Sequence, residues 1–144
     1  ESGAIARYLD TFNGPSLFPS HPKAKALVDA NASQISTYAA RAIVADFILE
    51  FAFAKGNVRL DAVNAAWPKA KELLAWMSDN IGDNHYFYGS QFTVCDAYSI
   101  PMLDYLTMLP EPFNAMSNNL ISYIDFHRKQ PYSQSILGKP DLPK

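Results

Sequence analysis

Glu1 and Ser2 stand together at the start of a helical pattern, and they offer the sharpest chemistry in the chain. A helix N-terminus presents free N–H groups and partial positive charge, so it can hold a carboxylate. Ser2 adds a hydroxyl donor, and Glu1 adds an acceptor for a nearby ammonium group. The pair could therefore grip the α-amino-acid end of a ligand, which carries both charges. The same two residues also read as an ordinary helix start, because Ser is a commonplace N-cap.

Arg41 is the second candidate. At 100° per residue, Asp46 and Glu50 fall about 140° and 180° away from it, while Tyr38 shares its face. A guanidinium on a largely apolar face needs an anionic or aromatic partner. An internal carboxylate, a neighbouring subunit or a bound acid would each serve, and a structural partner is the simpler reading. Tyr38 and Arg41 are taken as candidate pocket-lining residues. His21, His85 and His127 share no metal-ligand spacing with one another or with Cys95, so each is read as a surface or packing residue and no metal site is expected. Cys95 opens a helix, where the backbone dipole lowers a thiol pKa. Its neighbours are apolar, which favours a small core residue over a nucleophile.

The elements that must position these groups are all helical. Glu1–Phe12 carries Ala4, Ile5, Tyr8, Leu9 and Phe12 at helical spacing, and Asn13-Gly14-Pro15 ends it. A proline-rich connector leads to Pro22. From there to about Ala54 no Pro or Gly interrupts, which predicts one long, bent helix whose apolar second half lies between two layers. Lys55-Gly56-Asn57 stops it. The next helix is clearest over Trp67–Ile81, with Pro68 expected in its first turn behind an Asn64 cap. Tyr86-Phe87-Tyr88 reads as an aromatic-anchored loop. Thr93 and Asp96 have the spacing of a reciprocal capping box, with Phe92 and Ala97 at the staple positions. The helix that follows, Val94–Leu109, is nearly free of charge and is expected to be the central, most buried one, bent at Pro101. Asn114–Gln130 forms the last helix, with Met116, Leu120, Ile124 and His127 on one face. A short turn over Tyr132–Leu137 and a tail, Gly138–Lys144, complete an all-α domain of five main helices.

Composition sets the outer bounds. The 144 residues suit one domain, and with 49% hydrophobic and 18% charged residues they can build a sizeable core. A net charge of −2 lacks the basic excess of a nucleic-acid surface, so no nucleic-acid partner is expected. Tyr38–Ala54, the longest apolar stretch, is broken by Arg41, Asp46 and Glu50 and falls short of the roughly 20 residues of a bilayer span. No membrane partner is expected. One cysteine forms no internal disulfide, which fits a cytoplasmic location. The opening Glu1-Ser2, without Met or leader, reads as the edge of a piece from a longer protein.

At the level of motifs, Glu1-Ser2-Gly3-Ala4-Ile5-Ala6-Arg7-Tyr8-Leu9 resembles the E-S-x-A-I-x-x-Y-L segment of cytosolic glutathione transferases, which closes the family's thioredoxin-like half. Leu17-Phe18-Pro19 is similar to the family's inter-domain linker. Tyr88-Gly89-Ser90-Gln91-Phe92-Thr93-Val94-Cys95-Asp96 resembles the Y-x-x-G-x-x-x-T-x-A-D region, with the glycine displaced and Cys95 where Ala is usual. Arg128-Lys129-Gln130-Pro131 is similar to an R-x-x-P near the family's C-terminus. The texture is nearest to bacterial members.

The resemblance implies a glutathione-transferase helical bundle, five main helices preceded by an N-terminal helix left from a thioredoxin-like domain. Residues 1–13 would be that helix, 14–22 the linker and 23–144 the helical domain. Glutathione would be the co-substrate and no metal would be needed. Ser2 would hold the γ-glutamyl carboxylate and Glu1 its amino group, while Thr93 and Asp96 would serve folding. The catalytic Ser, Tyr or Cys would lie in the other half. The intact protein would be a homodimeric detoxification enzyme joining the glutathione thiolate to hydrophobic electrophiles, and this half alone would be inactive. The alternative is a non-catalytic binding or assembly module on the same fold.

Overall fold

The computed structural model describes residues 1–12, 14–134 and 137, and every regular element among them is helical. Helix α1 (Ser2–Leu9) is tied to the body by a few contacts. Ala6 is its one buried residue, Arg7 pairs with Asp29 at 2.9 Å, and the Arg7 guanidinium lies over the Phe18 ring. The Asp10 carboxylate accepts from the Ser16 hydroxyl and the Leu17 N–H, which folds the connector back against the helix end. Ser2 is not the N-cap. Glu1 holds that position, because its carbonyl accepts the first helical bonds, from the N–H groups of Ala4 and Ile5, both at 3.1 Å. Asn13 lies outside the described residues. Gly14 next to it has φ +149°, a conformation that favours glycine.

The connector ends where Pro22 enters the first turn of α2 (Pro22–Gln34), a position that needs no N–H. Helix α2 continues without a break into a π-helical stretch (Ile35–Ile48), bonded i→i+5, and then into α3 (Leu49–Ala52). The long rod expected from the sequence therefore exists, with a change of winding at Ile35. Its second half is not enclosed between two layers. Ile35, Ala39, Ile43 and Phe47 are buried on one side, while Tyr38, Arg41, Ala45 and Asp46 face outward. Gly56, with φ +82°, turns the chain after it.

Helix α4 (Leu60–Ile81) begins nearly two turns before Trp67. Arg59 at its cap position is clamped to Glu50 of α3, and that pair sets the start that Pro68 was expected to set. Pro68 lies instead in the interior, and Asn64 is an exposed helical residue rather than a cap. Such a proline is tolerated because it faces solvent, at the expense of one backbone bond. Apolar residues at helical spacing trace one stripe along α4, of which Val63, Ala70, Leu74, Met77 and Ile81 are buried and Trp67 is partly buried. It packs along the π-helical stretch in the most extensive helix–helix contact of the fold. Phe47 stacks on Trp67 with ring centroids 4.8 Å apart, Phe113 meets both rings of that pair, and Phe51 meets Phe47. Each such side chain contributes about 1.5–3 kcal/mol by burial.

Helix α5 (Val94–Leu106) touches α2, the π-helical stretch and α6 (Asn118–Arg128), and it is the most buried element. Its capping box is formed, with the Thr93 N–H donating to Asp96 Oδ2 at 2.7 Å. The last helix starts four residues later than Asn114 because Asn119 fixes it to the end of α4, donating to the carbonyls of Ser78 at 2.8 Å and Gly82 at 3.1 Å. Its buried face is Leu120, Tyr123, Ile124 and His127. Counted as continuous rods the described residues make five helices, α1 included; with the rod divided at Ile35 they make α1 and five more. A turn follows Pro131. Residues 135, 136 and the expected tail, 138–144, lie outside the described residues.

Candidate functional site

The N-terminus of α1 opens on a cleft. Ser2 lines a cavity of about 230 Å³ together with Ile35, Ser36, Ala40 and Val44 of the long rod and Tyr98 and Met102 of α5. Glu1, Ser2 and Gly3 are exposed, and the N–H groups of Ser2 and Gly3 have no hydrogen-bond partner among the described residues. The site thus joins free amides and a serine hydroxyl to an apolar floor. That combination can hold a carboxylate at one end of a ligand and an apolar group at the other.

Tyr98 closes the inner side. Its hydroxyl is buried and has no hydrogen-bond partner among the described residues, and it lies 4.0 Å from where a Cβ on Gly3 would stand. Sequence reasoning missed Ser36, Tyr98 and Met102. Their signal was the i,i+4 spacing of Ser36, Ala40 and Val44 on one helix and of Tyr98 and Met102 on another, which places each set on one face.

Tyr38 and Arg41 stand on the opposite, outward side of the rod. The Arg41 side chain is 75% exposed, and its Nε donates to Asp46 Oδ1 at 2.8 Å. In an α-helix these two would lie on well-separated faces. An i→i+5 winding brings the fifth residue back over the first, so the π-helical stretch itself supplies the pairing.

The other reactive side chains are occupied by packing. Cys95 is fully buried with its Sγ 3.4 Å from the Val28 carbonyl, and burial pushes its thiol up to about 12, so it stays protonated. His85 stacks on Phe126, His127 is enclosed by aromatic rings, and His21 is exposed beside Pro22. Among the described residues no three His, Cys, Asp or Glu side chains gather as metal ligands would. No helix there is long and apolar enough to cross a membrane.

Asp96 is a heavily bonded carboxylate, and its role is architectural. It accepts from the Phe87 N–H at 2.6 Å, from both the N–H and the hydroxyl of Thr93, and from the Tyr123 hydroxyl at 2.8 Å. It therefore joins the aromatic loop, α5 and α6 at one buried point.

No curated protein sequence matches the chain. Its backbone is similar to the crystal structure of a glutathione S-transferase from Methylobacterium radiotolerans in complex with glutathione sulfonate, with a TM-score of 0.73 and 20% sequence identity, over 98% of this chain and 67% of that one. A likeness at that identity speaks for the fold. The stronger finding is in the sequence, where residues 15–126 match the family model for the glutathione S-transferase C-terminal domain. That match spans well over half of the chain and takes in the connector, the long rod, the capping box and nearly all of α6, so the chain belongs to the glutathione S-transferase family.

Proposed function

We propose that this chain is the helical half of a glutathione transferase, and that the cleft at Ser2 is where its share of the active site lies. One observation supports this above the others: Ser2, with its free amide and hydroxyl, borders an apolar cleft between the long rod and α5. In this reading Ser2 receives the γ-glutamyl carboxylate of glutathione through its N–H and Oγ, and Glu1 receives the amino group. The electrophile rests on Ile35, Ala40, Val44 and Met102. Tyr38 and Arg41, on the outward side of the rod, lie outside that pocket.

The chemistry turns on a thiol whose ordinary pKa, near ~8.5, leaves little thiolate at neutral pH. Each unit of depression is worth about 1.4 kcal/mol, and the group that supplies it is assigned to the thioredoxin-like half. Residues 1–13 are then the last helix of that half, 14–22 the linker and 23–144 the helical domain. Two measurements test the proposal. The 144-residue chain alone is expected to show no conjugation of glutathione to a chlorodinitrobenzene-type electrophile; turnover by it would refute the division of labour. In the intact protein Ser2→Ala is expected to weaken glutathione binding by about 1–3 kcal/mol, the loss of a charge-assisted hydrogen bond, and an unchanged affinity would remove the grip.

A further inference from the structure

We propose that helix α1 is a flap on the Ser2 cleft, hinged at the connector and poised to swing open by the unpaired Tyr98 hydroxyl beneath it. The flap is lightly fastened. Among the described residues α1 makes no extensive contact with another helix, and Ala6 is its one buried residue. Arg7 pairs with Asp29, but their side chains are 53% and 32% exposed, and an ion pair so open to water adds little. The Arg7 guanidinium also lies over the Phe18 ring. At the other end the Asp10 carboxylate holds Ser16 and Leu17, which makes that end the hinge. Ile5, Tyr8 and Leu9 are exposed already, so swinging the helix strips little apolar surface from the core.

Tyr98 supplies the bias towards opening. Its hydroxyl is buried, has no hydrogen-bond partner among the described residues, and lies 4.0 Å from where a Cβ on Gly3 would stand. It therefore sits under the free end of the flap. A buried hydroxyl without a partner has given up its hydration for nothing, and opening returns water to it. The closed seam thus carries a penalty that the open one lacks. Space favours the same motion. A cavity of about 40 Å³, bordered by Gly3, Arg7 and Phe18, shares Ser36 and Tyr98 with the Ser2 cleft, so lifting Gly3 joins the two. Ser2 travels with the flap, and the gap between Ser2 and the rod widens or narrows with it. The motion gates the cleft whatever ligand it takes, and it goes beyond the reading of that ligand as glutathione.

The experiment reads the opening through a thiol. Ala6→Cys places one under the flap, while Cys95, fully buried on α5, reports unfolding of the whole chain. The 144-residue chain is labelled with 5,5′-dithiobis(2-nitrobenzoate) under native conditions. The introduced thiol is expected to react at least about ten-fold faster than Cys95, with little dependence on urea. Tyr98→Phe removes the hydroxyl and keeps the ring, and it should slow that reaction about ten-fold. Arg7→Ala, which loosens the fastening, should speed it about three-fold. Should Ala6→Cys fail to fold by circular dichroism, hydrogen exchange of the Asp10 amide, which donates to the Ala6 carbonyl at 3.0 Å, reads the same opening. Reaction of both thiols together would show that α1 opens only with the whole fold. An unchanged rate in Tyr98→Phe would show that the hydroxyl stays covered. Either result overturns the proposal. No ligand enters the measurement, so its outcome is independent of the grip assigned to Ser2.

Discussion

Two buried residues show how much of this fold rests on single side chains. Asp96 accepts four hydrogen bonds, from Phe87, Thr93 and Tyr123. Burial pushes its carboxyl above the usual range, and the donors pull it back. Replacing it by Ala leaves those donors without a partner in the core, so Asp96→Ala should cost about 3–5 kcal/mol in urea denaturation. Thr93→Ala removes the cap and one of the four donors and should cost less, about 1–2 kcal/mol. Equal effects would show that the network is not centred on the carboxylate. His127 makes a different prediction. It is fully buried, its Nε2 has no partner among the described residues, and burial brings its pKa down to about 4 from an ordinary 6.5. The unfolded chain takes up a proton below 6.5 that the folded one refuses until about 4. Stability from this residue is therefore complete above 6.5 and falls through that window, by roughly 3 kcal/mol. His127→Phe should flatten the slope of stability against pH between 7 and 4, and an unaltered slope would show that the imidazole is not its source.

At the scale of elements, the ion pairs divide by burial. Arg128 reaches from the end of α6 to Asp104 of α5 at 2.7 Å and to the Thr107 hydroxyl at 2.6 Å, and Asp104 is buried. Arg128→Ala should cost about 3 kcal/mol, because it strips a buried carboxylate of a charged partner. Asp46→Ala, which breaks the exposed pair with Arg41, should cost under about 1 kcal/mol and less still at high salt. Thermal melts of the two variants at low and high salt check both. The contrast also marks what the sequence made legible. The Thr93–Asp96 box, the Val63-to-Ile81 stripe and the aromatic loop could be read because caps, periodicity and glycine stops act over a few residues. The Arg128 clamp could be seen only as a motif, since its partners lie 24 and 21 positions away. The π winding left no mark at all. Apolar spacing in Ile35–Ile48 is equally compatible with an α-helix, and the true geometry shows in the Arg41–Asp46 pair at i,i+5. For the same reason the helical wheel directed attention to the outward face with Tyr38 rather than to the inner face with Ser36, Ala40 and Val44. The inner wall of the Ser2 cleft, with Ala97, Tyr98 and Met102, lies on α5, a neighbour whose placement no local pattern specifies.

For the whole molecule, the distribution of apolar surface bears on the proposed division into halves. Helix α1 and the turn after it leave Ile5, Tyr8, Leu9 and Phe12 each more than half exposed, although their spacing is that of a packing face. Scattered exposed apolar residues are normal, but three on a short helix with a fourth just past its end form a patch that favours a partner. The reading of residues 1–13 as the last helix of a thioredoxin-like half accounts for this, since that half would cover the face that α5 and the connector leave open. It also makes opposite predictions for two forms of the protein. In the 144-residue chain Ile5→Glu and Leu9→Glu remove no packed contact, so stability in urea should change by less than about 0.5 kcal/mol while light scattering shows reduced self-association. In the intact protein the same two changes would bury a charge, and each should destabilise by several kcal/mol. If both forms tolerate them alike, α1 is not an internal packing element of a larger fold, and the patch belongs to contacts between separate molecules.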